Sequence, residues 1–332
     1  MFSWADDLFL RKIPLFLDSR VPRERCFISH AHADHLPHGG PHQSAICTSD
    51  TAAIARHRNA MGNAELLTFR TPHDLDKDTS VQLRSAGHVL GSAMLHVTRP
   101  DETFLYTGDF KLRKSLTVEV ADPLPADVLV MESTYGLPEF RFPPARLVGE
   151  QLVEQTRAAM AQGRQPIVMG YSLGKAQEIV RILRDAGIVV TCHGAVFAIN
   201  EIYERLGVRL GECRRYCAED FHGDQALDLA ERGVIVAPPQ VARSTFVNRF
   251  ENPYQVMMSG WGLLKNSKYR YGVDEVLPLS DHADFDELIE LVERVNPKKV
   301  YTHHGYASFA ETLRARGIDA TLARPDPQLL LF

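Results

Sequence analysis

Hydrophobic residues fall along this chain in two textures. Up to about residue 145 they come as short runs and alternations. LFLD (15–18) and RCFISH (25–30) read as strands that end in polar residues. SVQLRSAG (80–87) and SAMLHVTR (92–99) alternate as half-buried strands do, and TFLYTGD (103–109) and DVLVMES (127–133) are buried-strand runs. This part is β-rich with few helices. Beyond it the period lengthens. ARLVGEQLVEQTRAAMAQG is a helix with a glycine stop, followed by strand QPIVMG, helix KAQEIVRILRDAG, strand IVVTCHG, helix AINEIYERLG and strand GVIVAPP. That alternation predicts a small parallel α/β layer. QVMMSGW (255–261) adds one more strand. The helix FDELIELVERV, the strand KKVYTHHG, the helix ASFAETLRARG and a short terminal strand then resume the first texture near residue 275. The pattern predicts a domain made of residues 1–145 and 275–332, interrupted by an α/β insertion over 146–274.

Composition narrows the class. Of 332 residues, 45% are hydrophobic and 24% charged, which suits a globular protein with a large core. No apolar run nears the roughly 18 residues that span a bilayer, so no membrane partner is expected. The opening MFSWADDLFLRK carries its acids before its bases, the reverse of a signal peptide, and predicts a cytoplasmic location. Five cysteines at irregular spacing do not form a disulfide framework. Cys213 and Cys217 lack a second pair nearby and read as structural. A net charge of −5 excludes a protein that coats nucleic acid by bulk charge. Any polyanion must be met by a local patch or by bound cations.

Chemistry concentrates at His30-Ala31-His32-Ala33-Asp34-His35, between an apolar strand and a Pro/Gly turn. Four potential ligands within six residues cannot face one point on a strand or helix, but on a tight loop they can diverge into two neighbouring sites. Imidazole and carboxylate are the donors zinc takes when cysteine is absent. One histidine here would read as part of a surface loop; the ordered set reads as a metal loop. Two dications about 3.5–4 Å apart need a bridging carboxylate, and such a pair brings the pKa of a shared water toward neutrality.

HxHxDH resembles the hallmark of the metallo-β-lactamase superfamily. Asp18 closes LFLD where that family carries an acid bracing the metal loop. His88 in AGHVLGSA resembles its third ligand motif and Asp109 in TGDF its bridging carboxylate. The resemblance implies that His30, His32 and His88 hold one zinc, and that Asp34 and His35 hold the other with Asp109 between them. Taken singly, His88 would be an ordinary histidine and Asp109 a turn residue.

Three further pieces resemble the β-CASP branch, the nucleases related to RNase J, Artemis and the cleavage and polyadenylation endonuclease. Glu132 in MESTYG resembles motif A, His282 in LSDHADF motif B and His304 in THHGY motif C. His304 would complete the second zinc site, His282 would act on the leaving oxygen, and Glu132 would orient His282. His303 stands beside His304 as an alternative ligand; the following glycine favours His304. Across the chain the likeness is greatest to bacterial ligase-associated DNA exonucleases, in segments such as GYSLGKAQEI, HGAV, APP and MSGW.

The resemblance implies an α/β fold, a metallo-β-lactamase αββα sandwich with an inserted β-CASP cap. It implies two Zn2+ per chain, with Mn2+ suited to the same donors, and Asp34, Asp109, Glu132 and His282 in catalysis. It further implies a nucleic-acid substrate, DNA favoured over RNA, and work in DNA repair beside an ATP-dependent ligase and a helicase. The alternatives are an RNA nuclease of the same fold, a thioesterase or lactamase, and an inactive binding subunit; the last loses ligands, and none is lost here. Substrate-side candidates are Lys111 and Arg113 after Asp109, Tyr135 and Arg141 after motif A, Ser172, Gly174 and Lys175 at a helix start that could receive a phosphate, Lys265, Lys268 and Arg270, and Trp261 as a base-stacking ring.

Overall fold

The computed structural model describes residues 2–4, 7–221 and 226–323, and all elements below belong to these. The chain divides into two compact units, one made of residues 1–141 and 282–332 and the other of 142–281. The sequence pattern sets these borders at 145/146 and 274/275. At the first border helical periodicity marks the start of a helix at Ala145, whereas the unit begins with the extended segment before it; at the second, the strand Glu275–Leu277 pairs in the sheet of the second unit and carries the border past it.

The first unit opens with strands β1 (Phe2–Trp4), β2 (Leu8–Leu10), β3 (Leu15–Leu17), β4 (Arg25–Phe27) and β5 (Ser44–Cys47), helix α1 (Ser49–His57) and strand β6 (Ala64–Leu66). The six strands pair in that order; β1–β3 are antiparallel and β3–β6 run parallel. The chain continues through β7 (His73–Asp76), β8 (Thr79–Ser85), β9 (Ala93–Thr98), β10 (Thr103–Tyr106) and β11 (Val128–Glu132). Alternation in β8 puts Val81 and Leu83 on the buried face, as period-two patterning requires.

The second unit holds α2 (Ala145–Ala161), β12 (Gln165–Met169), α3 (Lys175–Asp185), β13 (Val190–Cys192), α4 (Gly194–Arg205), β14 (Arg214–Arg215), α5 (Leu229–Arg232), β15 (Val234–Ala237), β16 (Pro253–Met258), α6 (Ser267–Tyr271) and β17 (Glu275–Leu277). Its sheet has the order β14-β13-β15-β12-β16-β17 and every described pairing is parallel, as near-continuous apolar strands between helices demand. Two expected limits shift. Helix α4 starts four residues early, because the His193 ring accepts from the Ala195 amide and caps it. QVMMSGW stops being a strand at Met258, where Ser259 turns the chain by accepting from the Trp261 amide.

The first unit then closes with α7 (Phe285–Val295), β18 (Lys299–His303), α8 (Ala307–Ala315) and β19 (Ala320–Leu322). Its second sheet runs β19-β18-β11-β10-β9-β8-β7, with β10, β11, β18 and β19 parallel. Leu10, Leu15, Leu17, Phe27 and Ile46 of the first sheet pack on Leu83, Leu95, Phe104 and Val130 of the second. The other face of the second sheet, with Met94, Leu105, Leu129 and Met131, packs on Leu288, Leu291 and Val292 of α7 and Phe309 and Leu313 of α8. With α1 beside β6, the layers are helix, sheet, sheet, helix, the αββα arrangement expected from the resemblance.

This architecture fixes where chemistry can gather. The parallel strands β10, β11 and β18 end in register, Tyr106 facing Val130 and Glu132 facing His303. Loops beyond the carboxyl ends of parallel strands are where α/β proteins assemble sites, and Asp109, Ser133 and His304 follow these ends directly.

Candidate metal centre

The loop after β4 carries the HxHxDH run. His32 Nδ1 lies 3.0 Å from His30 Nε2 and 3.0 Å from His88 Nε2. Asp109 Oδ2 stands 3.5 Å from His30 Nε2 and 3.8 Å from His88 Nε2. One donor atom from each of His30, His32, His88 and Asp109 falls within 4.8 Å of all the others. A second group, His35, Asp109 and His304, meets the same limit, and His35 Nε2 is 3.3 Å from Asp109 Oδ2. Asp109 belongs to both groups and lies between them.

Asp34 is the exception among the expected ligands. Its carboxylate is half exposed and its Oδ2 is 3.9 Å from His35 Nε2, so it borders the second group without joining it. His303 does not join either group. It is buried, stacked on Tyr106 with ring centroids 5.8 Å apart. Of the two histidines in THHGY, His304 is the one that joins the second group, and its φ of 49° lies in the left-handed region. Gly305 permits that turn: a Cβ there would sit 2.1 Å from the Ser133 carbonyl oxygen. Ser133 in turn donates its amide to the His303 carbonyl at 2.8 Å, so the motif after β11 and the motif after β18 are locked together.

Asp18 braces the loop. It accepts from the Ser29 amide at 2.7 Å, from the Ser29 hydroxyl at 2.5 Å and from the Tyr106 hydroxyl at 2.8 Å, and its Oδ2 lies 2.9 Å from His35 Nδ1. With Nδ1 engaged by Asp18, Nε2 is the His35 nitrogen left on the Asp109 side, where a metal would meet it. Ser29 and Tyr106 had no signal of their own in the sequence; they work only through contacts with residue 18. Gly108 completes the packing, since a Cβ there would stand 2.5 Å from Ser29 Cβ.

Glu132 is fully buried and accepts from the Phe110 amide at 2.8 Å and from the Thr134 hydroxyl. Both its oxygens are 3.0 Å from His282 Nδ1. The His282 ring lies beside His88, centroids 4.6 Å apart. Glu132 thus selects the Nδ1–H tautomer and leaves Nε2 for chemistry.

The donor set fits zinc. Tetrahedral zinc with ligands at about 2.0–2.1 Å sets ligand atoms roughly 3.4 Å apart, close to the spacings around His32 and Asp109. His35 Nε2 is a buried polar atom with no hydrogen-bond partner. The electrostatics agree. Burial pushes the His30 imidazole well below its usual pKa, reinforced by His35 and His88. Burial also opposes charge on His35, but Asp109, Asp18 and Asp34 outweigh it and hold that ring well above the usual histidine range. Asp109 is held well below the carboxylate range because His35, His282 and His30 outweigh its desolvation. Buried carboxylates and imidazoles gathered this closely favour a cation among them.

Several substrate-side expectations are corrected. Lys111 is buried, with 1% exposure, rather than presented to a ligand. Arg113 pairs with Asp284 at 2.7 Å and Glu287 at 2.9 Å at the start of α7. Arg141 pairs with Asp286. Tyr135 is buried against Phe140 and His282 and offers no free face to a base. Lys175 is buried and ion-paired with Asp281 at 2.8 Å, and the α3 start is already capped by Gln177 Oε1, which accepts from the Gly174 amide. Ser172 uses its carbonyl to accept from Gln177 Nε2. Lys268 pairs with Glu275, whereas Lys265 and Arg270 are exposed and Trp261 is partly buried. Sequence alone placed these cations near the site and could not show which carboxylates they were already holding.

A family model described as a Zn-dependent metallo-hydrolase RNA specificity domain matches residues 268–322. A protein of Opitutus terrae named a probable DNA ligase is 36% identical over 332 residues, 99% of this chain and 32% of that protein. The transcription termination factor FttA of Methanothermobacter thermautotrophicus is 26% identical over 84% of this chain and 57% of its own. The probable RNase MJ4 of Methanocaldococcus jannaschii is 26% identical over 91% and 86%. The chain thus spans about a third of the first relative and little more than half of the second. The crystal structure of a protein of unknown function from Enterococcus faecalis shares the fold, with TM-score 0.59 and 17% identity over 90% of this chain and 79% of that one. Motif order, layer order and these likenesses converge on the β-CASP branch of the metallo-β-lactamase superfamily as the group that this chain resembles.

Proposed function

We propose that this chain is a zinc-dependent nuclease that hydrolyses phosphodiester bonds, and specifically a DNA exonuclease acting in repair in the cytoplasm alongside an ATP-dependent ligase and a helicase. The carrying observation is that a carboxylate-oriented histidine, His282, lies against the donor cluster through His88. Zinc at such a centre stabilises charge on phosphate oxygens and makes water a nucleophile at neutral pH. His30, His32, His88 and Asp109 would hold one ion, and His35, His304 and the shared Asp109 the other, with Asp34 at its edge. His282 would pass a proton from Nε2 to the departing sugar oxygen, and Glu132 would keep the ring aimed and its positive form stabilised. A thioester, whose thiolate leaves without a proton, needs no such paired acid.

DNA as substrate is supported by the Opitutus relative, named a DNA ligase, whose likeness runs the length of this chain. A second reading, RNA as substrate, draws on the family model's description and on the relative named as an RNase. Matched DNA and RNA strands, each labelled at the 5′ or the 3′ end, separate the two readings and give polarity. Faster release of nucleotides from DNA is expected, abolished by chelation and restored by zinc or manganese. Release that survives chelation would refute the metal-dependent reading.

A further inference from the structure

Cys213 and Cys217 are neighbours in sequence, but the sulfur that Cys213 meets in space is that of Cys192. Cys192 ends β13 and is buried. Cys213 directly precedes β14, the outermost strand of the same sheet, and is half-buried. The two thiols are hydrogen-bonded to each other. Asn200 of α4 donates from Nδ2 to both sulfurs, at 3.4 Å to Cys192 and 3.5 Å to Cys213. Its amide has a fixed sense. Asn200 Oδ1 accepts from Gln177 Nε2 at 2.8 Å, and Gln177 Oε1 accepts in turn from the Gly174 amide at 2.7 Å. A buried polar network thus ends with N–H donors held on two sulfurs. A neutral thiol is a weak acceptor and a thiolate a good one.

The five thiols are not alike. Burial pushes Cys26 and Cys47 well above the ordinary thiol range. Cys217 is exposed, but its bond to the Glu219 carboxylate pushes it up as well. Cys192 is pushed up first by its bond to Cys213 and then by burial. The same bond lowers Cys213 to about 7. Asn200 and Arg184 act in the same sense, against burial and Glu204. Cys213 also lines a cleft of about 580 Å³ together with Asn200, Glu204 and Arg209, all in the second unit. A small solute can therefore meet Cys213, whereas Cys192 has no exposed surface. An open sulfur that carries charge, with a second thiol bonded to it, is placed for thiol–disulfide chemistry.

We propose that Cys213 and Cys192 are a reactive dithiol that a hydroperoxide oxidises to a disulfide. The Cys213 thiolate attacks one peroxide oxygen. An S–O bond forms, the O–O bond breaks, and the departing hydroxide or alkoxide takes a proton from solvent. Cys213 is then a sulfenic acid. The Cys192 sulfur attacks the Cys213 sulfur. The S–S bond forms, the S–O bond breaks, and the oxygen leaves as water with the Cys192 proton. The two sulfurs lose two electrons and the peroxide gains them. Closure to an S–S distance of about 2.05 Å draws the two side chains together. Strand β14 pairs with β13 only at Thr191–Arg214 and Cys192–Arg215 among the described residues, so little of the sheet must give. The site lies wholly in the second unit and is independent of the nuclease reading.

The test treats the full chain with dilute hydrogen peroxide at pH 7, blocks remaining thiols with iodoacetamide in urea, and digests with trypsin without reductant. Trypsin puts the three cysteines of this region on separate peptides, 185–205, 210–214 and 216–232. The expected product is peptide 185–205 cross-linked to 210–214, released by dithiothreitol. In Cys192→Ser the sulfenic acid has no thiol to close on, and dimedone should tag Cys213. In Cys213→Ser, Cys192 should stay reduced. Serine nearly matches cysteine in size, and thermal melts check that both variants fold. In the untreated native protein Cys213 should react with iodoacetamide roughly tenfold faster than Cys217, because more of it is thiolate. Asn200→Ala should narrow that gap. A cross-link from 210–214 to 216–232 would overturn the pairing. Peroxide that oxidises Cys217 while leaving Cys192 and Cys213 open to alkylation would overturn the proposal, as would oxidation of Cys192 at an undiminished rate in Cys213→Ser.

Discussion

At the scale of single residues the candidate centre depends on Asp18, a carboxylate that is not among the clustered donors. Four groups converge on it: the Ser29 amide and hydroxyl, the Tyr106 hydroxyl and His35 Nδ1. Its backbone sits in the left-handed region at φ 46°, a conformation that costs an ordinary side chain of order 1 kcal/mol and that aspartate tolerates better than most. That cost is held in place by the contacts the side chain makes. Asp18→Asn keeps the shape but weakens the acceptor facing His35. The expected result is an affinity for zinc at the His35 group reduced roughly 10–100-fold, the usual effect of losing a partner behind a ligand. Competition with a graded series of chelators measures it; affinity equal to wild type would show that His35 needs no such brace. His304, at φ 49°, is a second strained residue at the centre. Neither conformation could be read from composition or periodicity, because both follow from loops closing around distant strand ends. The HxHxDH run was legible since its donors are local, and Asp109 and His88 only because they stand in order behind it.

At the scale of elements, Arg113 was expected to face a substrate and instead fastens the start of α7. Glu287 there is pushed above its usual pKa chiefly by burial, with Arg113 pulling it back. Arg113→Ala strands that carboxyl, and the expected loss is roughly 2–3 kcal/mol of stability, somewhat below that of a fully buried pair. Urea melts measure the loss, and unchanged stability together with a raised KM for nucleic acid would restore the original expectation. Helices α7 and α8 were plain from their apolar period, whereas α1 was not, because its buried face is largely alanine and threonine. The short strands β1, β2 and β5 to β7 escaped for a related reason: three or four residues carry too little alternation to stand out. Asp127 gives a test at the other end of the second sheet. It is bonded to Lys298 Nζ, to the Thr103 amide and to the Thr103 hydroxyl, and these lower its pKa from 3.8 to about 2. A depressed carboxylate contributes stability that is present above its unfolded pKa and lost as pH falls through the folded one. The contribution should be whole at pH 5 and mostly gone by pH 2. Thermal melts of Asp127→Asn should differ from wild type at pH 5 and approach it near pH 2; a gap that widens on acidification would contradict the assignment.

At the scale of the whole molecule, charge decides how a chain with a net −5 can hold a polyanion. Most arginines and lysines near the centre in sequence are committed to carboxylates. Two dications would offset four of the five net negative charges, and would do so where the proposed scissile phosphate must lie. Metal loading should therefore govern substrate affinity as well as turnover. It should also govern stability, because zinc binds the converged donors of the folded chain better than the dispersed ones of the unfolded chain. Each site filled at about 100 times its Kd adds roughly 2.7 kcal/mol. At a few degrees per kcal/mol for chains of this size, two sites raise Tm by roughly 5–15 °C. Differential scanning fluorimetry across a zinc series, with metal analysis of the same samples, measures both. Two zinc ions per wild-type chain are expected, and close to one in His304→Ala with a correspondingly smaller rise in Tm. Anisotropy with a labelled, uncleavable phosphorothioate strand should show binding at least tenfold weaker after chelation. Equal affinity with and without metal would mean that the strand is held by protein cations elsewhere, and the centre would lose its claim to be where the polyanion is received.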